Sequence, residues 1–390
     1  MAAASASSVS GTAPKRIDLH VHVGVLGDDP AFKPYGAISP WMREQLVYRI
    51  MLLYARVDPA RVSDVALRDA LLATVAGSSL DHVVCLALDP AYDRDGTRRP
   101  ERSNLWVDNS YITRELAPRS GGRILLGASV HPYDPRFEQR VDQCLADGAV
   151  LLKWLPSAQW IDLADPRVLK ALRYLATARG GRPLPLLVHV GAEYAIMTTD
   201  PRTTSYDFLS WGFLERLVNR LRPAARRWHT PNLSGALANL RAGLDAGATV
   251  ILAHCGLPYF APRFLGFLEH NDIDVVARLL RETADRAPGA GRCYADVSAC
   301  VTPFREGYWS RIASLPRDSL LAGSDFPVPV FELSAGPAEY LDDFRAMVTK
   351  GELERIVVPE NNLLDVNWRE LEHAFGAGHP MFRTAERLLL

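Results

Sequence analysis

Arg16-Ile17-Asp18-Leu19-His20-Val21-His22 is an apolar run that closes on two histidines. Side chains two apart on a strand point the same way, so both imidazoles project together from one strand end. Such a pair is half of a site for a divalent metal. Seven further apolar runs follow, at His82–Asp89, Arg123–His131, Ala149–Pro156, Leu184–Gly191, Thr249–Gly256, Cys293–Ala299 and Leu320–Phe326. Their near-continuous apolar character is that of parallel strands covered by helices.

Helix-like stretches fill the gaps and carry start and stop signals. Asp134 opens Pro135–Asp147 and Gly148 closes it, Asp165 precedes Pro166–Arg179, and Asn232 caps Leu233–Ala246. Eight strand–helix repeats predict an α/β chain folded as a (β/α)8 TIM barrel. A doubly wound open sheet fits the alternation too, but no glycine-rich phosphate fingerprint follows the first strand. Two connections exceed ordinary loop length: 23–81, with helix-like Trp41–Ala55 and Arg61–Ala76, and 192–248, with Asp207–Leu221. These helical insertions after strands 1 and 5 lie where barrel enzymes hold their active sites, and are expected to form lids or pocket walls. A helical C-terminal extension is expected over Ala338–Lys350, Asn361–Phe375 and the last segment through Leu390. Residues 1–15 read as a disordered tail lacking the features of a secretion signal, which leaves 16–390 as one domain.

Of the 390 residues 48% are hydrophobic and 23% charged, and 44 basic residues balance 45 acidic ones. That balance supplies no strong field for nucleic acid or an anionic membrane, and no run reaches the ~20 apolar residues of a membrane span. Cys85, Cys144, Cys255, Cys293 and Cys300 are scattered, with no CxxC pair. They read as reduced thiols in a cytoplasmic protein. On a strand, Cys255 faces away from His254 and into the core. The apolar residues Met381, Phe382, Leu388, Leu389 and Leu390 suggest a homodimer contact.

Groups able to carry chemistry recur at the ends of these runs. The first gives His20 and His22, the fifth His189, the sixth His254 and the eighth Asp325. Strand ends of a barrel converge on one axis, so residues far apart in sequence can meet there. Nitrogen and oxygen ligands with a vacant position describe a catalytic site for Zn2+, with Mn2+ as the alternative and one or two ions. His254 is either a further ligand or a catalytic imidazole. Lys153, one of only 5 lysines, sits inside Leu151-Leu152-Lys153-Trp154-Leu155. It is a carbamylated metal bridge, an ammonium paired with an acid, or a strand-end lysine reaching water. His131 either faces the pocket mouth or turns the chain before Pro132. Asp296 is either a partner to a metal-bound imidazole or a structural carboxylate. Asp18 is expected on the face of His20 and His22, one layer deeper, as a supporting acceptor.

The ordered set Asp18-x-His20-x-His22, Lys153, His189, His254 and Asp325 resembles the amidohydrolase superfamily of metal-dependent barrel enzymes. Ser129-Val130-His131-Pro132 and Asn361-Asn362-Leu363-Leu364 resemble the branch that includes aminocarboxymuconate-semialdehyde decarboxylase. That branch implies one metal on His20, His22, His189 and Asp325, whereas Lys153 resembles the carbamylated lysine of binuclear hydrolases. The resemblance implies a hydrolase acting on an amide, ester or lactone of a small molecule, with Asp325, His254 and Lys153 as catalytic groups. The alternatives are a non-oxidative decarboxylase of aromatic or unsaturated carboxylic acids and a barrel that only binds. Trp154, His131, Glu193, Tyr194 and Arg263 are the candidate substrate contacts. Trp160, Tyr259, Phe326, Arg202 and Arg305 are other residues near the mouth, and together they suggest a planar or carboxylate-bearing ligand.

Overall fold

A computed structural model describes residues 14–193, 196, 206–207, 209–210, 217, 220–221, 233–257, 271–287, 290–302, 305–330, 346–348 and 350–390. The Asp207–Leu221 helix, the Asn232 cap, most of Ala338–Lys350, and Tyr194, Arg202, Tyr259 and Arg263 lie wholly or mainly outside the described residues, as do residues 1–13 of the expected tail.

Eight strands form one parallel sheet: β1 (Ile17–His22), β2 (His82–Leu86), β3 (Ile124–Ala128), β4 (Ala149–Trp154), β5 (Leu186–Val188), β6 (Val250–Leu252), β7 (Cys293–Asp296) and β8 (Leu320–Leu321). Each pairs with the next in chain order. The sheet closes on itself where Val21 bridges Phe326 and the His22 amide donates to the Phe326 carbonyl at 2.8 Å. The fold is the expected (β/α)8 barrel. Every apolar run contains its strand, but most strands are shorter than the runs, because the chain leaves the ladder to turn inward over the barrel mouth.

Helix α5 (Pro166–Leu175) shows how sequence makes the outer layer. Asp165 caps it by accepting from the Arg167 amide at 2.9 Å, Pro166 fits the first turn, and Val168, Ala171, Leu172 and Leu175 form one buried stripe. Its neighbour α6 (Leu233–Asp245) places Gly243 against it. A Cβ there would stand 2.8 Å from Leu172 Cβ, so the close helix approach requires glycine. The helix α4 (Phe137–Ala146) and α7 (Ile273–Thr283) cover other strands with similar apolar faces.

The first insertion differs from the single helix expected over Trp41–Ala55. It divides into α1 (Pro40–Arg43) and α2 (Leu46–Tyr54), because Gln45 is extended and Ser39 starts a separate capped turn. Helix α3 (Asp64–Gly77) follows. The Asp64 carboxylate accepts from the amides of Leu26, Gly27, Asp28 and Asp29 at 2.6–3.2 Å, tying α3 to the loop that leaves β1. A short antiparallel pair, Gly36–Ile38 with Leu105–Val107, braces the insertion; its three-residue strands left no pattern to read.

Of the apolar C-terminal residues read as a dimer contact, three pack within their own chain, whereas Leu388 is part-buried and Leu390 is exposed. After α8 (Leu363–Phe375), α9 (Met381–Leu389) packs against β1 and β8, and Ala385 and Leu389 join the inner barrel cluster of Ile17, Leu19, Leu187, Ile251 and Leu321. Met381, Phe382 and Leu389 are thereby buried within their own chain, and α9 closes the barrel floor. Among the described residues, no helix is long and apolar enough to cross a membrane.

All five cysteines are unpaired and buried. Burial pushes the Cys144 and Cys293 thiols up to about 12, so almost no thiolate exists near neutrality. We expect no cysteine to react with Ellman's reagent in the native protein at pH 8, and five to react in denaturant. A rapidly titrating native thiol would contradict the packing.

Candidate metal centre

Five strand ends build the site. In β1, Ile17 and Leu19 belong to the inner cluster, whereas Val21 belongs to the outer one. The phase changes at the register shift between Asp18 and Val21. Such an irregularity re-aims side chains, and it turns His20 and His22 into the barrel. Asp18 therefore does not share their face as expected. It still supports them, its Oδ1 accepting from the amides of His20 and Ser324 at 3.0 Å each. Lys153 comes from β4, His189 from just beyond β5, His254 from beyond β6 and Asp325 from beyond β8. Gly323 lets β8 approach, since a Cβ there would be 3.0 Å from His20 Cβ.

His254 (φ 56°) and Asp325 (φ 65°) both adopt the left-handed conformation, which costs non-glycine residues roughly 1–3 kcal/mol each. Hydrogen bonds hold them there: the His254 amide donates to Asp296 Oδ1 at 2.9 Å, and the Asp325 amide to the His20 carbonyl at 2.8 Å. Cys255, also left-handed, lies in this turn rather than on a strand, yet remains in the core as expected.

The side-chain atoms converge tightly. His20 Nε2 is 3.2 Å from His22 Nε2, and Asp325 Oδ1 lies 3.3 Å and 3.0 Å from the two nitrogens. Ligand atoms about 2.1 Å from a shared ion stand roughly 3.0 Å apart at right angles and roughly 3.4 Å apart at the tetrahedral angle. The triangle has the edges of a coordination face. Asp325 Oδ1 and His189 Nε2 are buried without a hydrogen bond, a state that costs about 1–3 kcal/mol per group. A cation at the triangle satisfies the Asp325 oxygen, so the donor set His20, His22 and Asp325 fits a divalent metal; His189, expected as a fourth ligand, is not among the residues whose ligand atoms lie within 4.8 Å of one another.

Behind the triangle, Asp296 and Ser298 set the tautomers. Asp296 Oδ2 is 2.9 Å from His20 Nδ1, and the Ser298 hydroxyl donates to Asp296 Oδ1. With its proton so committed, Ser298 Oγ accepts from His20 Nδ1 at 3.0 Å and His254 Nδ1 at 2.9 Å. Both Nδ1 atoms carry protons and both Nε2 atoms present lone pairs. A second grouping, His20, His254 and Asp296, also has its atoms within 4.8 Å of one another, but the Asp296 oxygens are fully engaged by these donors. Asp296 is the imidazole partner of the two readings, and Ser298 was missed, a lone serine two residues further on.

Electrostatics favour the ligand forms. Burial lowers the pKa of His20, takes His254 to about 3 and holds His189 well below the usual imidazole range. Burial alone would raise the Asp325 carboxyl, but the surrounding His254, His20 and His22 hold it well below its ordinary value. Burial thus favours the neutral, lone-pair-bearing form of His20, His189 and His254 beside an ionised Asp325. Lys153 is buried, with Nζ 3.1 Å from His20 Nε2. An ammonium there donates into the lone pair that an ion needs. A filled centre therefore requires Lys153 to swing aside or to lose its charge.

Two expected substrate contacts do not reach the mouth. His131 is buried, its Nδ1 accepting from the Tyr133 amide and its Nε2 facing the Gln159 carbonyl at 2.8 Å, so it turns the chain. Trp154 is fully buried because its indole nitrogen donates to the Val130 carbonyl at 2.8 Å, on the outer face of β4. Glu193 does belong, with Oε2 3.5 Å from His189 Nε2. A cavity of about 120 Å³ opens from the triangle, and His22, His189, Glu193, His254, Arg305 and Asp325 line its polar end.

No protein-family model and no curated protein matches the chain. Solved structures that it resembles include the apo form of Metarhizium anisopliae IDCase, 16% identical, covering 96% of this chain and 97% of that one with a TM-score of 0.46. A probable 2-pyrone-4,6-dicarboxylic acid hydrolase from Acinetobacter baumannii is 13% identical over 92% and 98%, TM-score 0.41. The 2,6-dihydroxybenzoate decarboxylase from Rhizobium is 10% identical over 93% and 99%, TM-score 0.42.

Proposed function

We propose that this chain is a metal-dependent hydrolase of the amidohydrolase type, acting on an amide, ester or lactone bond of a small molecule. The observation that carries the reading is the coordination-sized triangle of His20 Nε2, His22 Nε2 and Asp325 Oδ1. A bound Zn2+, or Mn2+, supplies Lewis acidity that acidifies a water and polarises a carbonyl. Asp325 Oδ1 faces the two imidazoles, which leaves Oδ2, 3.9 Å from His254 Nε2, to accept a proton from water and return it to the leaving group. His254 Nε2 is unprotonated in the tautomer that Ser298 sets, so His254 acts as a ligand or proton acceptor rather than as a donor to the carbonyl. Lys153 is the remaining candidate, as a ligand once carboxylated.

Arg305 favours one second reading. Its guanidinium is buried in the cavity wall beside His254 and offers a partner to a substrate carboxylate. Decarboxylation of an aromatic or unsaturated acid would use Asp325, once it has taken a proton from solvent, to protonate the carbon that loses CO2. The test is to incubate zinc-loaded protein with esters, amides, lactones and such acids in 18O-water. We expect one 18O in the acid product and no CO2. Release of CO2 with no 18O in the organic product establishes the decarboxylase, and inertness towards the whole panel of a fully metallated protein supports a binding role.

A further inference from the structure

We infer that the ligand of this site is an amphiphile, an acyl compound whose polar group sits at the metal triangle while an uncharged apolar body extends under the first insertion. The inference rests on the proposed hydrolytic site for the head group and on the cavity for the body.

The cavity is bipolar. Every ionisable carboxylate, imidazole and guanidinium of its wall lies at the barrel mouth, and the remainder is aliphatic and aromatic apart from two phenols. Helix α2 makes this plain. Tyr48, Met51, Leu52 and Ala55 follow the i, i+3, i+4, i+7 spacing of one helical stripe, and all four line the cavity. Such a stripe ordinarily packs on a core; here Tyr48 and Leu52 join the core and the stripe also borders the cavity. Met42 of α1 and Leu67 and Leu71 of α3 complete that wall. The Asp64 anchor to four amides holds α3 in place, so the space is built into the fold. A wall whose only donors away from the mouth are the Tyr48 and Tyr111 hydroxyls disfavours sugars, nucleotides and phosphates, most of whose polar groups would be stripped of water without replacement. Alkyl or alkyl-aryl bodies gain from the same wall. Each buried methylene strengthens binding about fourfold.

The experiment measures dissociation constants of straight-chain hydroxamic acids, from two to ten carbons, for the zinc-loaded full chain. Straight-chain alcohols of the same lengths are measured on the metal-free protein. We expect affinity to rise about fourfold per methylene until the cavity is full. Ala55→Phe should end the rise at a shorter chain and Met51→Ala should extend it, while acetohydroxamate binds all three proteins alike. Both positions are part-exposed, which favours folding of the variants. Hydroxamates that bind with no dependence on length, or a rise indifferent to both substitutions, would overturn the inference and leave the metal site standing. If acetohydroxamate does not bind but the alcohols show the rise, the metal reading fails and the apolar cavity stands. Absence of any rise in either series overturns the cavity.

Discussion

Asp325→Asn is expected to lower kcat by about 10²–10⁴-fold at saturating metal, the range for losing a positioned proton-transfer group. The substitution preserves volume and a carbonyl oxygen at the vertex facing His20 and His22. It removes the charge and the proton-accepting capacity of Oδ2. Metal stoichiometry measured beside the kinetics separates the two roles. A variant that is fully metallated yet inactive supports the assignment; one that is fully metallated and fully active excludes proton transfer by Asp325. The left-handed backbone at this position is a reason to prefer Asn, which tolerates that conformation better than Ala.

The second large effect lies one layer behind the ligands. Asp296 accepts from the amides of His254 and Ser298, the Ser298 hydroxyl and His20 Nδ1. Asp296→Ala strands these buried donors, at about 1–3 kcal/mol each, and we expect a loss of at least about 3 kcal/mol, read by denaturant unfolding of the metal-free protein. Asp296→Asn tests the tautomer argument more sharply. Its oxygen can still serve the amides, but its NH2 would face His20 Nδ1 and drive the imidazole proton to Nε2, onto the metal vertex. Metal affinity should fall about 10–100-fold, the usual range for such partners, with a smaller loss of stability. Equal metal affinity in wild type and Asp296→Asn would remove Asp296 from the site's working parts.

The barrel was legible because its signal is repeated. Eight apolar runs separated by capped amphipathic stretches admit few other arrangements, and each run does hold its strand. The histidines and Asp325 were legible because they end those runs. His131 and Trp154 ended a run as well, and nothing local distinguished them from His189. Each instead satisfies its polar atoms on a neighbouring loop or strand. Ser298 was hidden, and Asp296 left between two readings, for the converse reason: the partners of Ser298, His20 and His254, lie 278 and 44 residues from it in sequence.

Local sequence, then, determined which segments extend, which coil, and which side chains are able to bind a cation, since periodicity and side-chain chemistry act over a few residues. Only tertiary structure decided how those groups are aimed. A register shift in β1 turns His20 and His22 inward, two left-handed residues swing His254 and Asp325 over the mouth, and Ser298 orients two rings at once. It also decided that the α2 stripe, part of which joins the core, borders a cavity as well. These outcomes depend on distances between segments remote in sequence, which no local pattern encodes.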